Sequence, residues 1–337
     1  MNLSLRYDIP VLMFYNLDFF DWSENDRQDV LELVQSLKNS LESLGHPVIP
    51  LQLEDENVPM LFNGYDPNDY IVFNWCEGIP GMPHSFGKAA RALEELGFHF
   101  TGSPADILEL NDDKRQIKKT LIKNHINTPP WTEFNKKEIA NIWNQFPSIV
   151  KPAFEHCSVG IDSGSIVDNI QELLTRAEYI ADRFQQPIII EEFIEGREFQ
   201  VGVWGNEKIE LLPPVESDFS RLENPRDHIC TMDSKDDPTS YRYQQWDMIV
   251  PAQLTEKEIN QLNQLCLNAY QAIGIRDYAR MDVRLRNGIF FLLDVNTNPY
   301  IGPECGFIQA AKVAGYSYGE FASQLINLAW QRRNSLN

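Results

Sequence analysis

The sequence predicts a mixed α/β (α+β) protein with a small parallel sheet at one end and antiparallel strands at the other. Three observations carry this expectation. At 337 residues the chain exceeds what one small core organises, so two or three domains are expected. Its N-terminal third alternates strand, helix, strand, loop and helix, the pattern of a parallel sheet with crossover helices. Asp277 to Pro299 reads as two strands joined by a tight turn, and Phe199 to Leu212 as antiparallel strands turning at Gly205-Asn206.

Val11-Leu-Met-Phe-Tyr15 is a first buried strand. Ser23 is an N-cap for a helix carrying Val30, Val34, Leu37, Leu41 and Leu44 at spacings of four and three, and Gly45 ends it. Pro47 to Leu51 leads into another strand, and Tyr70 to Cys76 is a third, followed by the Gly/Pro loop Glu77 to Pro83. Ligands sit at the carboxyl ends of such strands, so Glu77 is a candidate substrate contact, with a solvated loop carboxylate as the plain reading. A helix is expected from about Ser85 to Leu96, stopped by Gly97.

Asn111 to Lys119 opens a helix with acids and continues with bases, the look of a solvated face. Pro147 to Pro152 is a short strand ending beside Lys151, and Ala153 to Gly160 is a loop of small residues. Such a lysine and loop can cradle phosphate, although no P-loop GxxxxGK[ST] motif occurs. A helix over Ile170 to Phe184 precedes the buried strand Gln186 to Ile194, in which Glu191 and Glu192 are unusual because an unpaired buried carboxylate is costly. Thr255-Glu-Lys-Glu258 is a capping box opening a helix through Ile273, and one last helix is expected from about Glu304 to Trp330.

The C-terminal hairpin is the most informative stretch. Side chains alternate along a strand, so Tyr278, Arg280, Asp282 and Arg284 share one face and Ala279, Met281, Val283 and Leu285 the other. On the second strand Asp294 and Asn296 share a face, with Phe291, Leu293 and Val295 expected on the apolar side. This is either the wet face of a sheet or an oxygen-rich cluster of the kind Mg²⁺ requires; Asp and Asn, poor strand formers, favour the second reading. For Asp282 and Asp294 to hold one metal they must share a face. A two-residue Asn287-Gly288 loop would pair Asp282 with Leu293, so a three-residue loop, Arg286-Asn-Gly288, is expected.

A net charge of −20 argues against nucleic acid or an anionic membrane as the main partner, while leaving room for a local basic pocket. The five cysteines are scattered without CxxC spacing, which points to a reducing compartment and no structural zinc. No signal peptide or apolar span is recognised, so a soluble, cytoplasmic protein is expected.

Taken in order, Lys114, Lys151, the small-residue loop, Glu191, Glu198, Lys235, Arg280-Met-Asp282 and Asp294-Val-Asn296 resemble the ATP-grasp superfamily, most closely its D-alanine–D-alanine ligase branch. The resemblance runs from about Gly97 to Ala329, and Ala311 to Phe321 is similar to that branch's C-terminal helices. It implies three domains: an N-terminal parallel-sheet α/β domain (1–112), a central α+β lid domain (113–187) and a C-terminal antiparallel-sheet catalytic domain (188–337). It also implies roles. Lys114, Lys151 and Lys235 would contact the ATP phosphates, with Ser158 in the loop closing over them. Glu191 would accept from the adenine amino group, the backbone near Phe193 and Ile194 would read the base edge, and Glu198 would hold the ribose hydroxyls. Asp282, Asp294 and Asn296 would hold two Mg²⁺ ions, with Mn²⁺ as an alternative, and Arg280 would stabilise an anionic tetrahedral intermediate.

The departures from that branch fall at the amino-acid positions and at one metal position. His156-Cys157-Ser158 stands where Gly-Ser-Ser is usual, Asn298-Pro-Tyr300 where Ser-Pro-Gly is usual, Cys305 replaces a serine, and Asp236 replaces a tyrosine. Tyr15-Asn-Leu-Asp-Phe-Phe20 replaces the first glycine-rich loop, and Asp294 replaces a glutamate. Glu77, Tyr300, Cys305 and Gly306 are the substrate candidates. The expectation is an ATP-dependent carboxylate–amine ligase acting through an acylphosphate on small-molecule acid and amine substrates other than D-alanine pairs. A homodimer through the first domain is the assembly the resemblance implies. The competing readings are an ATP-grasp kinase or carboxylase, which needs no amine, and a nucleotide-binding module without turnover.

Overall fold

The computed structural model describes residues 5–17, 23–237 and 239–335, without the side chains of Lys235 and Asp236. Strands β1 (Val11–Asn16), β2 (Val48–Leu53) and β3 (Ile71–Trp75) form a parallel sheet in the order β2-β1-β3. Helices α1 (Glu24–Leu44), α2 (Val58–Leu61) and α3 (Phe86–Glu95) accompany it. Every residue of β1 and β3 is buried, as a parallel strand covered on both faces requires. Helix α1 begins at the expected Ser23, in a reciprocal capping box with Asp26, and ends at Gly45 with φ 116°. Its Val34, Leu37 and Leu41 are buried, each contributing about 1.5–3 kcal/mol of transfer free energy. At the carboxyl ends of the strands the Glu77 N–H donates to Asn16 Oδ1 at 2.8 Å, tying the β3 loop to β1.

Helices α4 (Ala105–Asn111) and α5 (Lys114–Lys123) lead to a second sheet. It comprises β4 (Trp131–Glu133), β5 (Ser148–Pro152), β6 (Ile166–Val167) and β7 (Ile188–Glu192), in the order β4-β7-β5-β6, all antiparallel. Helices α6 (Ile139–Ile142) and α7 (Ile170–Phe184) cover it, with Leu173, Ala177 and Ile180 packed on Val150, Ile188 and Ile190. Because β7 bonds to β4 and β5, a division at 187/188 separates it from its own sheet; hydrogen bonding places β7 with the central strands.

The third sheet contains β8 (Arg197–Trp204), β9 (Glu210–Leu211), β10 (Val215–Asp218), β11 (Asp247–Ile249), β12 (Tyr278–Arg286) and β13 (Ile289–Asn296). Its order is β11-β10-β8-β12-β13, with β9 paired to β8. Short helices α8 (Met232–Asp236) and α9 (Tyr241–Gln245) lie between β10 and β11 in sequence. Helix α10 (Glu256–Ile273) opens on the expected Thr255–Glu258 capping box and packs Leu262, Cys266 and Ala269 with Val201, Met281, Leu292 and Val295. The expected single last helix is two, α11 (Gly306–Val313) and α12 (Tyr318–Ser335). Gly315, at φ 95°, breaks it, and Ser317 and Glu320 cap the restart reciprocally. Phe321, Leu325 and Ala329 of α12 share a core with Val11, Met13 and Phe73, so the two ends of the chain are packed together. Buried Asp277 fixes the same junction, accepting from the Gly102 N–H, Asn206 and Arg332 at 2.7–2.9 Å.

The hairpin corrects the loop expectation and keeps its purpose. Arg286 pairs with Ile289, so the loop has two residues, Asn287 and Gly288, both at positive φ. Parity is restored further along by a β-bulge in the edge strand β13. Val283 pairs with Leu292 and Asp282 with Asp294, with Leu293 inserted between. The apolar side is therefore Phe290, Leu292 and Val295, while Phe291 and Leu293 are only partly buried.

Candidate active site

The bulged face of β12–β13, the end of β5 with its loop, and the β7–β8 junction enclose one cavity. Lys114, Lys151, Ser158, Glu191, Phe193, Ile194, Glu198, Arg280, Asp282, Asp294 and Asn296 all line it. Local chemistry explains how each arrives there. Asp113 caps α5 by accepting from the Arg115 N–H, which sets Lys114 at the first helical position. The Lys114 Nζ donates to the Glu155 carbonyl at 2.5 Å and lies 3.5 Å from Asp294 Oδ2. Lys151 is the penultimate residue of β5 and pairs with Glu191 Oε1 at 2.9 Å.

Glu191, 1 % exposed, sits between two lysines, with Lys118 Nζ donating to its Oε2 at 2.9 Å. Burial raises a carboxyl's pKa, but Lys118 and Lys151 outweigh it and keep Glu191 ionised. Burial likewise opposes the charge on Lys151, which Glu191 and Asp294 restore. Lys118 also donates to Thr128, whose hydroxyl donates to the Leu292 carbonyl, so the central sheet is linked to β13. Glu191 Oε1 is buried against the Lys151 ammonium, so each oxygen of this carboxylate faces a lysine.

On the hairpin face, Arg280 donates to Asp282 through Nε and Nη2 at 2.8 and 3.0 Å, and Asn296 Nδ2 donates to Asp282 Oδ2 at 3.0 Å. Arg280 is held well above its ordinary pKa: burial alone would lower it, and Asp282 more than compensates. Burial would likewise raise Asp294, but Lys114 and Lys151 hold its carboxyl well below the usual carboxylate range. The donor chemistry fits a hard cation: two carboxylates and one amide oxygen on a single face, beside lysines suited to phosphate. Among the described residues no group of three His, Cys, Asp or Glu side chains gathers as a metal cage. That composition suits Mg²⁺ carried in with phosphate oxygens and water rather than a dedicated protein cage.

The loop after β5 takes two consecutive left-handed conformations, Cys157 at φ 53° and Ser158 at φ 67°, each costing a non-glycine residue on the order of 1 kcal/mol or more. Ser158 Oγ donates to the Cys230 carbonyl at 2.8 Å, joining this loop to the segment before α8. Arg176 secures its far end through Asp162, the Gly160 carbonyl and Ser165. Burial and nearby Lys114 push the His156 imidazole down to about 3, so the ring is neutral.

Glu77, Tyr300, Cys305 and Gly306 do not line this cavity. Glu77 is half-buried at the β3 end, where burial pushes its carboxyl up to about 7. Tyr300 folds its ring over Gly302, where an added Cβ would meet the hydroxyl. Cys305 is close enough to Arg280 for each to influence the other's charge, yet burial keeps its thiol above the ordinary value. Gly306 packs against Gln200, Val215 and Met248, so its lack of a side chain serves close packing of α11 on the sheet. Lys235 lies in α8 with its side chain outside the described residues, as is Asp236's; Asp18 to Phe20 of the first loop are also outside them. Sequence reasoning missed Lys118 and the roles of Arg284 and Leu293. A lysine four residues after Lys114, beside buried Ile117 and Leu121, was the available signal for the first.

A family model described as D-ala D-ala ligase C-terminus matches residues 121–327. The D-alanine–D-alanine ligase of Marinomonas sp. is 30 % identical over 91 % of this chain and 93 % of its own length. That of Aquifex aeolicus is 29 % identical over 90 % of this chain and 96 % of its own. An uncharacterized protein of Sinorhizobium fredii, y4sG, is 29 % identical over 89 % and 88 %. Among solved structures, the D-alanine–D-alanine ligase of Bacillus anthracis complexed with ATP superposes with a TM-score of 0.75 over 98 % of this chain, at 20 % identity, which bears on the fold. The chain belongs to the D-ala D-ala ligase C-terminus family and is an ATP-grasp ligase, of the ADP-forming kind that joins carbon to nitrogen with ATP and a divalent metal.

Proposed function

We propose that this protein joins a carboxylate to an amine through an acylphosphate, on amino-acid or peptide-like substrates other than a pair of D-alanines. The observation that carries the chemistry is the bulge at Leu293, which sets Asp294 opposite Asp282 on the face shared with Lys114 and Lys151. When bound, ATP would supply the phosphoryl group that activates the carboxylate, and two Mg²⁺ ions, or Mn²⁺, held by Asp282, Asp294 and Asn296, would neutralise charge on the transferring oxygens. Lys114 and Lys151 would meet the phosphates from the sheet side and Lys235 from the opposite wall. Glu191 would accept from the adenine amino group. The backbone near Phe193 and Ile194 would read the base edge, Glu198 would hold the ribose, and Ser158 would close the loop over the phosphates.

Arg280 spends two donors on Asp282, leaving others for the oxyanion that forms when the amine adds to the activated carbonyl. Fixed cations of this kind do most of the work in such a reaction, because charge accumulates on oxygen and no protein nucleophile is needed. The neutral thiol of Cys305 agrees with that economy. Support for a different substrate pair lies in His156-Cys157-Ser158, Asn298-Pro-Tyr300, Cys305 and Asp236, and Glu77 and Tyr300 are the first residues to vary in a search for it. Assembly as a homodimer through the N-terminal sheet unit is part of the proposal.

The test is ADP release across a panel of amino acids and dipeptides, supplied singly and in pairs, with D-alanine as control. The expected result is ADP release that needs both an acid and an amine, with D-alanine alone inactive. ADP release without any amine, accompanied by a stable phosphorylated product, would instead identify a kinase. Formation of D-alanyl-D-alanine at a rate matching any other pair would overturn the substrate reading.

A further inference from the structure

Arg284 follows Asp282 by two residues on the same face of β12, and it is 2 % exposed. A guanidinium has five N–H donors and no acceptor, so burying it requires several oxygens at once. Here three oxygens take four hydrogen bonds from it. Nε and Nη2 donate to Glu198 Oε2 at 2.8 and 2.6 Å, Nη1 to the Ile194 carbonyl at 2.8 Å, and Nη2 also to the His228 carbonyl. The guanidinium carbon lies 4.4 Å from the centre of the Phe193 ring. Arg284, Phe193, Ile194 and Glu198 all line the cavity. Only one oxygen of Glu198 is consumed, and Oε1 makes no hydrogen bond among the described residues.

We infer that Arg284 is a specificity-determining positioning residue for the nucleotide sugar. It pins Glu198 through Oε2, so that a single carboxylate oxygen, Oε1, faces the cavity and accepts from ribose hydroxyls. By gripping the Ile194 carbonyl in the same fork it sets the sugar end and the base end of the site together. The inference rests on the reading of Glu198 as the ribose ligand. An ionised carboxylate only accepts, and a hydroxyl is the donor it selects. Lysine cannot replace the fork: its ammonium is a point charge without the planar pair of donors that fixes a carboxylate's orientation. Left without Arg284, Glu198 would turn toward whatever cation or water reached it, and the sugar would lose its fixed acceptor.

The experiment compares kcat/KM for ATP, 2′-deoxy-ATP and 3′-deoxy-ATP in the wild-type enzyme and in Arg284→Lys, Arg284→Gln and Glu198→Ala. The wild type is expected to prefer ATP over at least one deoxy analogue by about tenfold to hundredfold, the value of one hydrogen bond to a charged acceptor. In Arg284→Lys and Arg284→Gln that preference collapses to about threefold or less, with KM for ATP rising more than kcat falls. A purely structural role would depress all three nucleotides equally and leave the ratio at the wild-type value; that outcome overturns the inference. Arg284→Lys retains the charge beside Glu198 and is the variant expected to fold; Arg284→Gln supplies an independent second reading. If the wild type shows no preference, or Glu198→Ala keeps it, the ribose reading itself fails. If Glu198→Ala loses the preference while the Arg284 variants keep it, only the role of Arg284 fails.

Discussion

Asp294→Asn removes one negative charge while keeping the shape of the side chain. Asp294 Oδ2 is 3.5 Å from Lys114 Nζ, and its side chain is 29 % exposed. At that distance and an effective dielectric of about 20, a pair of unit charges interacts by roughly 5 kcal/mol before desolvation, an upper bound that partial exposure reduces. A divalent cation at the same carboxylate would feel twice the charge, so losing it should cost at least about 3 kcal/mol of metal binding, or about a hundredfold. The fold has less at stake. Among the described residues the carboxylate's one hydrogen bond comes from the Val295 N–H at 3.1 Å, which an amide oxygen can keep. The expected stability change is about 1–2 kcal/mol, a shift of only a few degrees in Tm for a chain of this size. Mg²⁺ titration of ADP release, run beside a thermal melt, separates the two. Half-saturation in Mg²⁺ should rise about a hundredfold or more while the melt stays cooperative. Full turnover at the wild-type Mg²⁺ requirement would refute the metal assignment.

The remaining predictions address the bulge, the buried triad and the β3 loop. Deleting Leu293 makes β13 regular and leaves Asp294 directly after Leu292, still opposite Asp282, so Mg²⁺-dependent ADP release should survive; deleting Val295 turns Asn296 toward the core and should abolish it. Equal loss in both deletions would count against the parity argument. Lys118→Met leaves buried Glu191 with Lys151 as its one lysine partner and should cost about 1.5–3 kcal/mol in denaturant unfolding, against less than about 1 if the ion pair is incidental. Glu77 has a folded-state pKa raised to about 7 by burial, so the native state holds its proton more tightly than the unfolded chain. Its contribution is therefore present at acid pH and lost as pH rises toward neutrality. Glu77→Gln should flatten the fall in Tm between about pH 5 and 8; an undiminished fall would show that the loop carboxylate is not the group responsible.

The sequence exposed the polar face of the hairpin because alternation along a strand is a local property. Arg280, Asp282, Asp294 and Asn296 are all found on one face. The device that aligns them was not local. β12 is paired on both sides and runs regularly against β8, so the extra residue falls in the edge strand β13, which has only one partner to accommodate. Arg284 read as one more residue of a wet face. Its burial depends on Glu198, Ile194 and His228, which lie 86, 90 and 56 residues away in sequence. Lys118 was hidden for the same reason, since its partner Glu191 is 73 residues distant. The break between α11 and α12 is legible in the sequence: Ser317-Tyr-Gly-Glu320 carries the same capping-box spacing as Thr255–Glu258. At the substrate end, Tyr300 and Cys305 stand out as departures, while their chemistry depends on how the turn to Gly306 packs against Gln200, Val215 and Met248.

The most direct test of the central claim follows oxygen. With the acid substrate labelled with oxygen-18 in its carboxylate, phosphate released during amide formation should carry one labelled oxygen, because the carboxylate oxygen attacks phosphorus and leaves with it when the amine adds. Released phosphate without label, at a rate equal to ADP formation, would mean that water and not a carboxylate accepts the phosphoryl group, and would contradict the account.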